Sequence, residues 1–175
     1  MRVISRLGQQ QNKNVRSAGA QSSFTADELT IRAPENTGEI FFRLATDLDM
    51  PFVFSTWLKN FRDSAHPHLA RPDYFAGEHR LIELLVSRGA AVLLACDCDD
   101  ATQLLGWICH EVNTVHYLYV KQVFRKLGIG RKLLSQAGIK QPFRVTHWTP
   151  SVSMLRHKAA FVFDPYLLIE RELEK

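Results

Sequence analysis

A mixed α/β fold, antiparallel in its first half and with a parallel crossover further along, is what this sequence predicts. Three observations carry the prediction. Apolar runs at strand and helix periods follow in the order β-α-α-β-β-β-α-β-α-β. Three of the strand-like runs succeed one another without a helix between residues 90 and 120. The stretch YVKQVFRKLGIGRKLL (119–134) then takes a strand through a basic, glycine-bearing loop straight into an amphipathic helix. Because the elements do not alternate βαβα throughout, a doubly wound nucleotide fold is excluded.

Residues 1–23 are rich in Gln, Asn, Ser and Gly, lack hydrophobic periodicity and read as a flexible basic arm, free or ordered by a partner. A single domain is expected from 24 to 175. EIFFRLA (39–45) is the first strand. Asp47 opens a helix whose Phe52, Val53, Trp57, Leu58 and Phe61 recur at helical spacing. Pro67 and Pro72 break the segment AHPHLARP, and a second helix runs from about Tyr74 to Arg88, closed by Gly89. AAVLLAC (90–96), QLLGWICHEV (103–112) and TVHYLYV (114–120) are strands separated by an acidic turn and by Asn113. A helix follows the loop from about Gly130 to Ala137. FRVTHW (143–148) is a further strand, and Thr149 with Pro150 caps a helix to about Ala160. A last strand is expected at roughly 166–171.

Composition bounds the function. Of 175 residues, 46% are hydrophobic and 23% charged, as in globular rather than disordered chains. No apolar run approaches the roughly 18 residues a bilayer span needs, and MRVISRLGQQQNKN lacks the apolar centre of a secretory signal. Cys96, Cys98 and Cys109 are an odd count and too sparse for a disulfide scaffold. They read as strand thiols rather than a zinc site, and no metal is expected; a reducing, cytoplasmic setting follows. Charge is segregated. Residues 21–111 hold 14 acids against 7 bases, whereas residues 112–163 hold 9 bases and no acid. Such a stretch is built to receive a polyanion, either nucleic acid or a phosphorylated cofactor.

Three phosphate-binding devices are distinguished by spacing at the basic loop. A P-loop needs Lys-Ser/Thr after its second glycine, but Arg131 and Lys132 follow Gly130. A dinucleotide fingerprint needs a third glycine where Leu133 stands. The pattern R-x-x-G-x-G at a strand-to-helix junction is met by Arg125, Gly128 and Gly130. Two glycines let the backbone curl until several N–H groups converge, and the next helix adds the positive end of its dipole. The product is a pyrophosphate cradle.

Through LYVKQVFRKLGIGRKLL (118–134) the chain resembles the GCN5-related N-acetyltransferases (GNAT), with Val120, Phe124, Arg125, Gly128, Gly130, Leu133 and Leu134 in register. The resemblance implies a GNAT-like mixed sheet with splayed strands 4 and 5 and acetyl-CoA as co-substrate. It implies that pantetheine bonds to the main chain at Leu118, Tyr119 and Val120. The diphosphate would meet the amides of Lys126, Leu127, Gly128, Ile129, Gly130 and Arg131, beside Arg125. CoA is then a better client for the basic half than nucleic acid. The segments MPFVFSTWLKNFRD and VHYLYVK also resemble acetyltransferase-like proteins of tailed bacteriophages, which implies a virion as the alternative location.

Catalytic residues are where the match thins. Acetyl transfer needs a neutral amine, a polarised carbonyl and a proton for the leaving thiolate. Many family members carry a tyrosine in helix 4; in LRHKAAF (155–161) Arg156 stands there instead. Tyr166 is the expected substitute, with Tyr117 and His157 as alternatives. His116 is the expected base, sharing its strand face with Thr114, and His110 and Glu111 are weaker candidates. Trp57, Phe61, Tyr74 and Phe75 read as core rather than as acceptor walls. The expected activity is N-acetylation of a primary amine, on a small molecule or a protein. The alternative is a GNAT-fold binding or structural protein, with the arm as a protein-partner site and homo-oligomerisation open.

Overall fold

The computed structural model describes residues 39–168. The N-terminal arm and half of the segment expected as a last strand, 169–171, therefore lie outside the described residues. Within them the elements are β1 (Ile40–Leu44), α1 (Met50–Ala65), α2 (Arg71–Ser87), β2 (Ala91–Asp97), β3 (Leu104–Glu111), β4 (Thr114–Val120), α3 (Ile129–Gln136), β5 (Phe143–Val145), α4 (Pro150–Leu155) and β6 (Phe161–Phe163). The expected mixed α/β order is the observed one.

One sheet of six strands runs in chain order from β1 to β6. Its first four strands pair antiparallel, and β4–β5 and β5–β6 pair parallel across the α3 and α4 crossovers. Asn113, with φ of 50°, turns β3 into β4. Its side chain also accepts from Lys140 N at 2.9 Å and donates to Pro142 O at 2.7 Å, tying the lead-in of β5 to that hairpin.

Both faces of the sheet are covered. Val53, Trp57, Leu58 and Phe61 of α1 and Ile82 and Leu85 of α2 pack one face. Ile129 and Leu133 of α3, with Phe124, pack the other. Trp57, Trp107 and Tyr117 stack with ring centroids 4.9–5.5 Å apart and form the centre of the first cluster. The expectation that Trp57, Phe61 and Tyr74 are core is met, while Phe75 is 38% exposed. No helix of the described residues is long and apolar enough to cross a membrane.

Three boundaries differ from expectation for physical reasons. The second helix begins at Arg71, because Pro72 occupies its first turn, where a missing N–H costs nothing. The fourth helix stops at Leu155 rather than Ala160: it buries no residue, and Arg156, His157 and Lys158 are exposed. Leu155 O instead accepts from Lys158 N and Ala159 N, closing a turn. Among the described residues the last strand is consequently Phe161–Phe163, paired with β5, and the described part of the expected strand, 166–168, is not extended. Pro165 and Tyr166 form a turn there, and Leu167 and Leu168 are helical.

Candidate active site

The site is made by a fault in pairing. Against β3, Cys109 faces Tyr117 but His110 faces Val115, so His116 is an extra residue in β4. Such a bulge bends the strand and reverses its side-chain alternation. Val115, Leu118 and Val120 accordingly join the α3 face, while Tyr117 and Tyr119 join the α1–α2 face. Against β5, β4 pairs only at Thr114 and Val115, and Thr146 N to Val115 O, 3.2 Å, continues that ladder. Beyond the bulge the two strands part.

A cleft of about 720 Å³ opens at this parting. Tyr117 to Val120 form one wall, the loop Arg125–Gly130 the floor, and Thr149, Pro150, Ser151 and Met154 the α4 side, with Asn60, Asp63 and Ser64 of α1 opposite. The loop reaches it by a short 3-10 turn at Gln122–Phe124, whose Phe124 is buried and anchors it. Lys126 (φ 70°) and Gly128 (φ 80°) are both left-handed, which curls the chain around Leu127. Lys132 N is the first to bond back along α3, to Gly128 O at 3.1 Å. By helix geometry the amides of Ile129, Gly130 and Arg131 have no intrahelical acceptor and point out of the helix end. Gly130 packs under β4: a Cβ there would lie 3.4 Å from Leu118 Cδ2. Arg125 Nε donates to Val120 O at 3.2 Å, fixing the loop to the end of β4.

Of the residues expected to hold a cofactor, Leu118, Tyr119, Val120, Arg125, Lys126, Gly128, Ile129 and Gly130 line this cleft together. Leu127, 41% exposed, and Arg131, exposed, flank it without lining it. His116 and Tyr166 are not among its lining residues. His116 is fully buried and borders a small internal cavity of about 40 Å³ together with His147. Tyr166 is 68% exposed. Arg156 lies with its guanidinium 6.0 Å from the Trp148 ring centroid, away from the cleft.

Of the two tyrosines that line the cleft, Tyr117 and Tyr119, Tyr117 is the more buried. Burial, reinforced by the nearby Glu78 carboxylate, pushes its phenol well above the ordinary tyrosine range, so it stays protonated at any working pH. Burial also pushes the Cys109 thiol up to about 12, which leaves it a core side chain rather than a nucleophile.

Sequence reasoning missed Thr146, His147 and Glu78. Thr146 Oγ1 lies 3.1 Å from His116 Nδ1 and 2.9 Å from His147 Nδ1. His147 Nε2 lies 3.2 Å from Glu78 Oε1, which also accepts from Trp57 Nε1 at 3.1 Å. The signal was the polar pair Thr146-His147 where a buried strand should have continued apolar. A second cavity, of about 620 Å³, shares Ser64 and Pro150 with the cleft and is lined by Thr146, Phe61, His66, Trp148 and Phe163 among others.

No family model matches the sequence, and no curated protein matches it. Solved structures do. A Pyrococcus furiosus protein assigned provisionally as an acetyl transferase is similar over 78% of this chain and 93% of its own, at 18% identity and a TM-score of 0.49. Apo YjaB from Escherichia coli is 21% identical over 57% of this chain and 64% of its own, with a TM-score of 0.42. YhbS from Escherichia coli, a GNAT-family N-acetyltransferase solved in complex with CoA, is 17% identical over 59% and 56%, with a TM-score of 0.37. The chain thus spans less than two thirds of YjaB and of YhbS. Likeness at this level assigns no activity.

Proposed function

We propose that the protein is a GCN5-related N-acetyltransferase that moves an acetyl group from acetyl-CoA to a primary amine. One observation carries the proposal. Strand β4 parts from β5 just past a bulge, and the cleft so formed ends against the amide-bearing first turn of α3. The parting leaves main-chain donors and acceptors of Leu118–Val120 without a strand partner on that side, available to an extended polar chain. The left-handed loop and the helix end offer converging N–H groups and positive potential to a diphosphate. Exposed Arg125, Lys126, Arg131 and Lys132 surround that end with fixed positive charge.

Bound there, acetyl-CoA supplies the acyl thioester. An amide of Leu118–Val120 stabilises the negative charge that develops on the carbonyl oxygen as the amine attacks. In this reading Tyr117, buried and protonated, gives its proton to the departing sulfur, the role expected of Tyr166. The adjoining aromatic cavity receives the amine's substituent.

A role in binding without turnover is favoured by one feature: α4 presents Ser151 and Met154 to the cleft where a tyrosine would serve. The discriminating assay is thiol release from acetyl-CoA with a panel of aliphatic, aromatic and peptide amines. Amine-dependent release, reduced on the order of 100-fold in kcat by Tyr117→Phe with KM for acetyl-CoA unchanged, is expected. CoA binding with no release for any amine establishes the second reading instead.

A further inference from the structure

Thr146 stands between two buried histidines, and its chemistry constrains both. A hydroxyl has one proton to donate and two lone pairs to accept with. Lying 3.1 Å from His116 Nδ1 and 2.9 Å from His147 Nδ1, it can donate to at most one ring, so at least one Nδ1 carries a proton and donates to it. In the arrangement a relay needs, one Nδ1 is protonated and the other is bare. A positive charge on one ring can pass to the other by two protons sliding along two existing hydrogen bonds, with no heavy atom moving.

The outer edge of each ring meets a carboxylate. His116 Nε2 lies 3.6 Å from Glu111 Oε2, and His147 Nε2 lies 3.2 Å from Glu78 Oε1. Glu111 is itself held by Arg88 Nε at 2.7 Å, and Glu78 by Trp57 Nε1 at 3.1 Å. The rings of Trp57, Phe61 and Tyr117 pack on His147, with centroids 4.9–6.1 Å from it. The chain of groups is thus Arg88–Glu111–His116–Thr146–His147–Glu78. Both histidines and Thr146 are at most 4% exposed. Thr146 also lines the aromatic cavity that adjoins the cofactor cleft. Ordered polar side chains in a core are costly unless fully connected, and Thr146 is the member of this chain of groups that also lines that cavity.

We infer that His116, Thr146 and His147 form a proton relay that takes up the proton lost by the acceptor amine. The inference rests on the acetyl-transfer reading. As the amine's N–C bond forms and the C–S bond breaks, the proton leaving nitrogen passes to Thr146 Oγ1, and the hydroxyl proton passes to the bare Nδ1. The doubly protonated ring is held between carboxylates until the proton leaves to solvent. Sulfur takes its proton from Tyr117, which solvent replenishes. Thr146 touches the reacting group, and the two histidines position and hold the proton behind it. His116, expected as the base from its place on the strand, so acts through a residue that the sequence did not flag.

The test uses the full chain, with Thr146→Val removing the hydroxyl and Thr146→Ser keeping it. Histidine side-chain nitrogen NMR on the resting protein reads the wiring without any substrate. In the wild type and Thr146→Ser, the Nδ1 signals of His116 and His147 are expected to be coupled through the hydroxyl, a change at one ring shifting the other. In Thr146→Val each ring's signal is expected to be independent of the other. Kinetics read the role: Thr146→Val should lose kcat by on the order of 100-fold with KM for acetyl-CoA unchanged, and flatten the acidic limb of the pH profile, while Thr146→Ser restores both. Rings that stay coupled in Thr146→Val overturn the wiring. Rings that uncouple while kcat and the pH profile hold overturn the relay. A folded wild type with coupled rings that acetylates no amine overturns the transfer reading itself. If Thr146→Val does not fold, loss of coupling and rate in a folded Thr146→Ser overturns the inference.

Discussion

Single residues show how closely the site depends on its anchors. Asp49 illustrates this away from the chemistry. Its carboxylate receives Arg43 Nη1 and Nη2 at 2.7 and 2.8 Å, and Thr46 N and Oγ1 at 2.8 and 2.7 Å. These bonds, the Arg43 pair foremost, hold Asp49 far below the usual carboxylate range. A depressed carboxyl stabilises the fold wherever the unfolded chain is also ionised, above about pH 4. As pH falls through that value the unfolded chain takes up the proton first, and the advantage drains away. Asp49→Asn should therefore cost about 1–3 kcal/mol at pH 7, and the gap to wild type in urea melts should narrow steadily below about pH 4. A gap independent of pH contradicts this account. At the same scale, the curl of the loop was legible: Gly128 stands where the backbone turns left-handed, and Arg125, Gly128 and Gly130 line one cleft. The residues proposed for catalysis were not. A one-residue bulge reverses the strand's alternation, so no period-2 reading of TVHYLYV can place Tyr117 or say that His116 looks inward onto Thr146.

Among elements, β3 and β4 together set one wall of the cleft. Gly106 sits on β3 where a Cβ would come within 2.5 Å of Tyr119 O and 3.2 Å of Val120 Cα. Backbone cannot yield as a side-chain tip can, so Gly106→Ala must push β4 outward at that wall. The variant should lose about 1–3 kcal/mol in thermal or urea unfolding and weaken CoA binding as well. Unchanged stability shows that β4 slides freely there, and the rigid-wall picture fails. The order of elements was readable because each long run keeps its own period, and because turn residues such as Asn113 and Gly89 mark the ends. The short elements were harder. Helix α4 lacks a buried residue and β6 has three positions, so partner strands rather than local pattern decide where they stop.

The whole molecule separates its charge by function. The acid-free stretch from 112 to 163 contains the parted strand, the curled loop and α3, so the basic half supplies the side proposed for the cofactor. The acidic half supplies α1 and α2, and Asn60, Asp63 and Ser64 of α1 face that cofactor cleft from the opposite wall. That arrangement steers a polyanion to one lip of the cleft, and its pull should weaken as salt shortens the screening length. The central claim is that the curled loop and the first turn of α3 hold a diphosphate. Calorimetric titration of CoA into wild type and Gly128→Asp tests it most directly. A Cβ at Gly128 would meet no atom within 4 Å, so the new side chain has room. The left-handed backbone there costs an aspartate about 1 kcal/mol, less than most residues would lose, so the variant keeps the fold and places a carboxylate at the cradle. Saturable binding by the wild type, weakening with salt and lost in a variant that still melts cooperatively a few degrees lower, is the predicted result. Equal binding by the two proteins, or none by either, contradicts it.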